Sequence, residues 1–117
     1  MPIVEDIGHI VLRVGDMDKA LRLYRDILGF GTPEGVNPVW TVLTTKGGSI
    51  TLWKDANPVP CVLAGNDTPL NFHVADFSEA ARTVEAEGYV VRRTSSSSGS
   101  VTDPWGNVVG LHDHRET

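Results

Sequence analysis

The feature that most constrains this chain is that it repeats itself. Val14-Gly15-Asp16 returns as Val74-Ala75-Asp76, Leu28-Gly29-Phe30 as Glu87-Gly88-Tyr89, and Gly47-Gly48-Ser49-Ile50-Thr51-Leu52 as Gly106-Asn107-Val108-Val109-Gly110-Leu111. All three pairs keep one order and one offset of about 60 residues, as an internal duplication does and scattered turns do not. The 117 residues suit one domain and are too few for two independent ones. The expectation is a single α+β domain. Module one spans about 5–54, a linker 55–68, and module two about 69–114.

Local patterning fills in each module. His9–Val14 alternates, with Ile10, Leu12 and Val14 on one face and His9, Val11 and Arg13 on the other, which is the period of a strand. Asp16 then stands as an N-cap. Met17, Ala20, Leu21, Tyr24, Ile27 and Leu28 follow at helical spacing, and Gly29 sits where a helix ends, so a helix is expected over 17–28. Val39–Thr45 and Ser49–Trp53 read as strands around a Lys46-Gly47-Gly48 turn, with a weaker strand signal near Phe30. In module two, Leu70–Ala75 is a strand. Asp76 with Glu79 forms a capping box for a helix that ends at Gly88. Tyr89–Arg93, Ser100–Thr102 and Val108–His112 are strands. Ser95–Gly99 reads as a serine-rich loop, and Asp103-Pro104-Trp105-Gly106 as a type I turn. Each helix covers one face of its sheet. The two uncovered faces together are expected to form a curved trough, the natural place for a ligand.

Composition bounds the partners. The ten basic residues are scattered against fifteen acidic ones, net −5, so the clustered cations that phosphate neutralisation needs are missing and nucleic acid is not expected. An acidic balance favours a cationic ligand or simply keeps the chain soluble. Cys61 is the only cysteine, which leaves no internal disulfide. No signal peptide or membrane-length apolar run is present, so the expectation is a cytoplasmic protein with no membrane partner. A chain this short leaves much surface uncovered, and a homodimer is expected.

The runs HIVLRVGDMDKALRLYRDILGF and DPWGNVVGL closely resemble the paired βαβββ modules of the vicinal oxygen chelate superfamily. That superfamily includes glyoxalase I, extradiol dioxygenases, fosfomycin resistance enzymes and bleomycin resistance proteins. The resemblance covers essentially the whole chain and implies their fold. It implies less about activity, because the fold hosts many. Metal-dependent members carry a ligand on the first and last strand of each module. The matching positions are His9, Thr51, Pro69 and Gly110. Only His9 is a good ligand: proline has no donor atom, Thr51 is a poor one, and the family's GNxxEL run reads GNVVGL here, with Gly110 in place of the carboxylate. A catalytic divalent ion normally needs about three protein ligands. No metal or other cofactor is therefore expected. The one alternative set is His9 with His73 and His112. His73 stands roughly 13 Å along its strand from the family position and His112 roughly 7 Å from its own. His114 reads as solvated.

The residues expected to face a ligand are His9, Arg13, Thr51, Trp53, Asn71, His73 and His112. Arg13 either binds a ligand's carboxylate or phosphate or pairs with an acid of the chain. Trp53 suits a planar ligand as readily as a core or a dimer seam. The face of Trp40 is ambiguous, and Trp40 and Trp105 both read as filling the core or a dimer seam. No nucleophile–base pair stands out; the serine run lacks a GxSxG elbow. Two functions follow. One is a metal-free protein that sequesters a small aromatic or cationic molecule, as bleomycin resistance proteins do. The other is a metal-dependent lyase, isomerase or dioxygenase with a non-standard ligand set.

Overall fold

Both strand–helix–strand units form, and each builds its own small sheet. The computed structural model describes residues 3–4, 10–60 and 70–113. His9, Cys61, Pro69 and His114 lie outside them. Strand β1 (Val11–Val14) is followed by helix α1 (Met17–Leu21), then by β2 (Trp40–Thr45) and β3 (Gly48–Lys54). Strand β4 (Asn71–Val74), helix α2 (Phe77–Ala86), β5 (Val90–Arg93), β6 (Ser98–Thr102) and β7 (Val108–Asp113) make the second unit. The sheet orders are β1-β3-β2 and β4-β7-β6-β5. In each, the first strand runs parallel to the last, which is antiparallel to its hairpin neighbour. The first unit's counterpart of β5 is reduced to a single bridge, Gly31 with Thr44. That is the weak strand signal near Phe30.

The same local chemistry starts and stops both helices. The Asp16 carboxylate accepts from the Lys19 N–H at 2.9 Å, and the Asp76 carboxylate from the Glu79 N–H at 3.2 Å. Both helices then end in a glycine of positive φ, 88° at Gly29 and 92° at Gly88, a conformation that an L side chain resists. Helix α2 gains a second anchor from across the sheet: Asp113 of β7 accepts from the Phe77 N–H at 2.8 Å. Replacing Asp76 with Ala is expected to cost about 1 kcal/mol, the usual value of an N-cap, measurable as a lowered urea midpoint with an unchanged slope.

Helix α1 is not regular to its end. From Arg22 to Ile27 it widens into a π-helical segment, in which the Leu28 N–H donates to the Leu23 carbonyl, five residues back, at 2.8 Å. A widened turn shifts the following residues around the axis. Leu23, absent from the expected stripe, is fully buried beside Tyr24, while Ile27 and Leu28 are only half-buried. The second departure is in the serine run. Ser98 and Gly99 belong to β6, and the turn before them is closed by the Thr94 and Ser95 N–H groups, both donating to the Ser98 carbonyl. Serine composition suggested a loop; pairing with β5 and β7 outweighs it.

The core is continuous between the units. Leu12, Val14, Leu43 and Leu52 of the first join Phe77, Val101, Val109 and Leu111 of the second. A polar knot fastens them as well. Asp103, in the turn before β7, is buried and accepts four hydrogen bonds. Two come from the Trp105 and Asn107 N–H groups at 2.9 Å each, one from the Asn107 side chain at 2.8 Å, and one from the Tyr24 hydroxyl of the other unit at 2.7 Å. Asn107 also donates to the carbonyl of Arg13 in β1 at 2.8 Å. Trp105 lies against Gly15: a β-carbon there would stand 2.5 Å from the indole nitrogen. Trp105 is partly buried and packs against the core, one of the two places expected for it.

Candidate functional site

Strand parity sorts the residues expected to face a ligand into two groups. In the first sheet Leu12, Val14, Ile50 and Leu52 face the core, so Arg13, Thr51 and Trp53 lie on the opposite face. Register sets Arg13 beside Trp53 and Trp53 opposite Trp40, which resolves the face of Trp40. Both indoles are substantially exposed, Trp40 at 39% and Trp53 at 44%. Arg13 is engaged within the chain: its guanidinium contacts the Asp55 carboxylate at 3.1 Å. The Asn57 N–H and then Arg13 hold the Asp55 carboxyl below the usual carboxylate range. Thr51 is buried, its N–H donating to the Ile10 carbonyl at 2.8 Å.

The second group is tighter. Asn71 and His73 alternate outward along β4 while Phe72 and Val74 pack inward. His73 is the register partner of His112 in β7, and their rings meet edge to face with centroids 4.3 Å apart. His112 Nδ1 is hydrogen-bonded to the Asn71 side-chain oxygen. With that oxygen as acceptor, His112 Nδ1 is the donor. Strand β6 lays Ser98 beside His112 and Ser100 beside Gly110 on the same face.

Strand β4 is an edge strand, so a cleft can reach both its faces. A cleft of about 990 Å³ does so, bounded by β4, the end of the π-helical segment and the β2–β3 hairpin. Its apolar wall includes Leu28, Phe30, Ile50, Leu70, Phe72 and Leu111. Phe30 meets Phe72 edge to face, centroids 5.0 Å apart. Asn71 and His73 open into the cleft from the polar side; Arg13, Thr51, Trp53 and His112 do not line it. Sequence reasoning missed Leu28 and Phe30, which it placed in a helical stripe and a faint strand. The signal that bore on them was the Leu28-Gly29-Phe30 helix exit, which turns these side chains toward the other unit.

Comparison with known proteins fits this architecture. The profile of the glyoxalase/bleomycin resistance protein/dioxygenase superfamily matches residues 6–111, nearly the whole chain. The chain belongs to that superfamily. A catechol-2,3-dioxygenase of Bacillus subtilis is 30% identical over a 107-residue alignment that covers 84% of this chain and 37% of the dioxygenase. The chain thus spans little more than a third of that relative. Among solved structures, the antibiotic-binding protein TnmS3 from Streptomyces sp. CB03234 superposes with a TM-score of 0.67 at 23% identity, covering 97% of this chain and 98% of its own. The fosfomycin resistance protein FosX from Mesorhizobium loti gives 0.69 at 16% identity, covering 95% and 93%. At such identities the structures share the fold.

Two of the superfamily's four metal-ligand positions fall among the described residues, and neither fits a metal. Gly110 has no side chain, and its N–H is committed to the Leu70 carbonyl at 2.8 Å. Thr51 offers only a hydroxyl, a weak ligand for a divalent cation. Among the described residues no three His, Cys, Asp or Glu side chains converge as a metal site. His73 and His112 come together; His9, the third imidazole of the alternative set, is outside the described residues. None of the described helices is long and apolar enough to cross a membrane.

Proposed function

We propose that this superfamily member is a metal-free small-molecule-binding protein that sequesters an aromatic compound in the cleft beside β4. The single observation that carries this is the cleft's make-up. It is about 990 Å³ of mostly apolar space with two phenyl rings in its wall and Asn71 and His73 at one side. A drug-sized molecule is held in the same way, by an apolar body contact and a few polar groups that orient it. A protein of the same fold, TnmS3, is described as antibiotic-binding, which supports this reading. The proposed assembly is a homodimer, supported by Val11, Trp40 and Trp53, which lie exposed on one uncovered sheet face. A monomer by light scattering at micromolar concentration overturns that part.

The test fills the cleft. Gly48 lines it, and a β-carbon added there would have no atom within 4 Å, so Gly48→Phe projects into open space. With calorimetry against a panel of aromatic antibiotics, the wild-type chain is expected to bind at least one member, and Gly48→Phe to weaken that binding at least tenfold with unchanged circular dichroism. Chelator is expected to leave the affinity unchanged. Binding that vanishes with chelator, or metal-activated turnover of a glyoxalase or dioxygenase substrate, overturns the proposal.

A second reading is a metal-dependent enzyme using His9, His73 and His112. It is favoured by the paired His73 and His112 rings and by the similarity to a catechol-2,3-dioxygenase. Metal analysis of untagged protein decides it. A metal content near zero that His9→Ala does not change removes it.

A further inference from the structure

We infer that the cleft selects planar aromatic molecules carrying an anionic group and discriminates against cations; this rests on the binding reading above. The chain as a whole points the other way, with fifteen Asp and Glu against ten Lys and Arg. Yet among the described residues that line the cleft there is no carboxylate, and the one Lys or Arg is Lys46.

Most of the described acids are engaged away from the cleft. Asp16 and Asp76 cap helices, and Asp103 and Asp113 are buried acceptors for the turn before β7 and for α2. Glu85 pairs with Arg93, Glu87 with Arg22, Asp26 with Arg25 and Asp55 with Arg13. Lys46, by contrast, stands exposed at the tip of the β2–β3 hairpin and forms no ion pair among the described residues. An ammonium at the mouth of a cleft whose described lining is mostly apolar and holds no carboxylate attracts an anion and repels a cation. The polar side adds donors rather than negative charge: the Asn71 amide and the His73 imidazole. On the other face of β4, the perpendicular Phe30 and Phe72 rings offer apolar contact to a flat ring system.

Three probes with one ring system separate charge from shape: 2-naphthoate, 2-naphthalenemethanol and 2-naphthylmethylammonium, titrated calorimetrically at low salt. The naphthoate is expected to bind at least tenfold tighter than the ammonium, with the alcohol between. Lys46→Gln is expected to shrink the anion-to-cation ratio several-fold while leaving the alcohol unchanged, and added salt to shrink it likewise. Equal affinities, or a preference for the ammonium, overturn the charge selectivity and leave the binding reading standing. If none of the three binds at millimolar concentration and the antibiotic panel is also silent, both fail.

Discussion

Replacing Asp103 with Ala is expected to destabilise the fold by about 4 kcal/mol, a large part of the roughly 5–15 kcal/mol that holds a domain of this kind together. Four donors converge on that carboxylate, and two of them, the Tyr24 hydroxyl and the Asn107 amide, belong to fully buried side chains. Removing one partner of a buried hydrogen bond leaves the other desolvated without compensation, at about 1–3 kcal/mol each. The two backbone N–H groups of the turn add to this. Tyr24→Phe removes one donor and leaves the carboxylate three others, so about 1 kcal/mol is expected from it. The gap between the variants, read from urea unfolding followed by circular dichroism, is the diagnostic. If Asp103→Ala costs no more than Tyr24→Phe, the turn is not the fastener between the units. A selective loss in the second unit alone would give a broadened, multi-step transition rather than a shifted one.

Gly99→Ala is the second large effect, and it comes from space rather than charge. A β-carbon on Gly99 would stand 2.3 Å from the Arg92 carbonyl oxygen and 2.5 Å from the Phe77 ring. The carbonyl belongs to the neighbouring strand β5, and the ring is a fully buried anchor of α2. Neither can retreat without opening the β5–β6 pairing or lifting the helix. Overpacking of a well-filled core costs about 1–3 kcal/mol and more when backbone is involved, so a loss of about 3 kcal/mol is expected. Gly47→Ala is the control. It meets nothing within 4 Å, and its effect should stay within about 0.5 kcal/mol. Equal midpoints for the two variants would show that β5 and β6 tolerate separation.

The two sites differ in how readable they were. The Asp103-Pro104-Trp105-Gly106 segment was legible as a type I turn, because Pro and Gly at those positions state their backbone conformation locally. That its aspartate also receives the Tyr24 hydroxyl, 79 residues away in sequence, was not legible. Nothing in a turn motif names a distant partner. Gly99 was expected in a serine-rich loop, since Ser and Gly disfavour strands in isolation. The pairing of β6 between two neighbours and the need to clear the Phe77 ring explain why a strand carries glycine there.

For the candidate site the division is similar. Alternation along β1, β3 and β4 separates the faces: Arg13 and Trp53 lie with Thr51 opposite the core, and Asn71 and His73 opposite Phe72 and Val74. Period alone could not say which of these outward residues share a cavity. Register brought His73 onto His112, and Asp55 took up Arg13. The π-helical widening after Leu21 carried Leu28 to the cleft and Leu23 into the core, against the simple helical stripe.

By itself, the sequence determined the doubled unit, the helix starts at Asp16 and Asp76, the helix stops at Gly29 and Gly88, and the loss of a side chain at Gly110. Each of these is a local property: a cap, a positive φ, an offset, a missing donor. Tertiary structure decided the cleft between the units, the Asp103 knot and the pairing of His73 with His112. These depend on how two sheets pack and in what register, which is set by the summed burial of many side chains and is written in no single stretch of the chain.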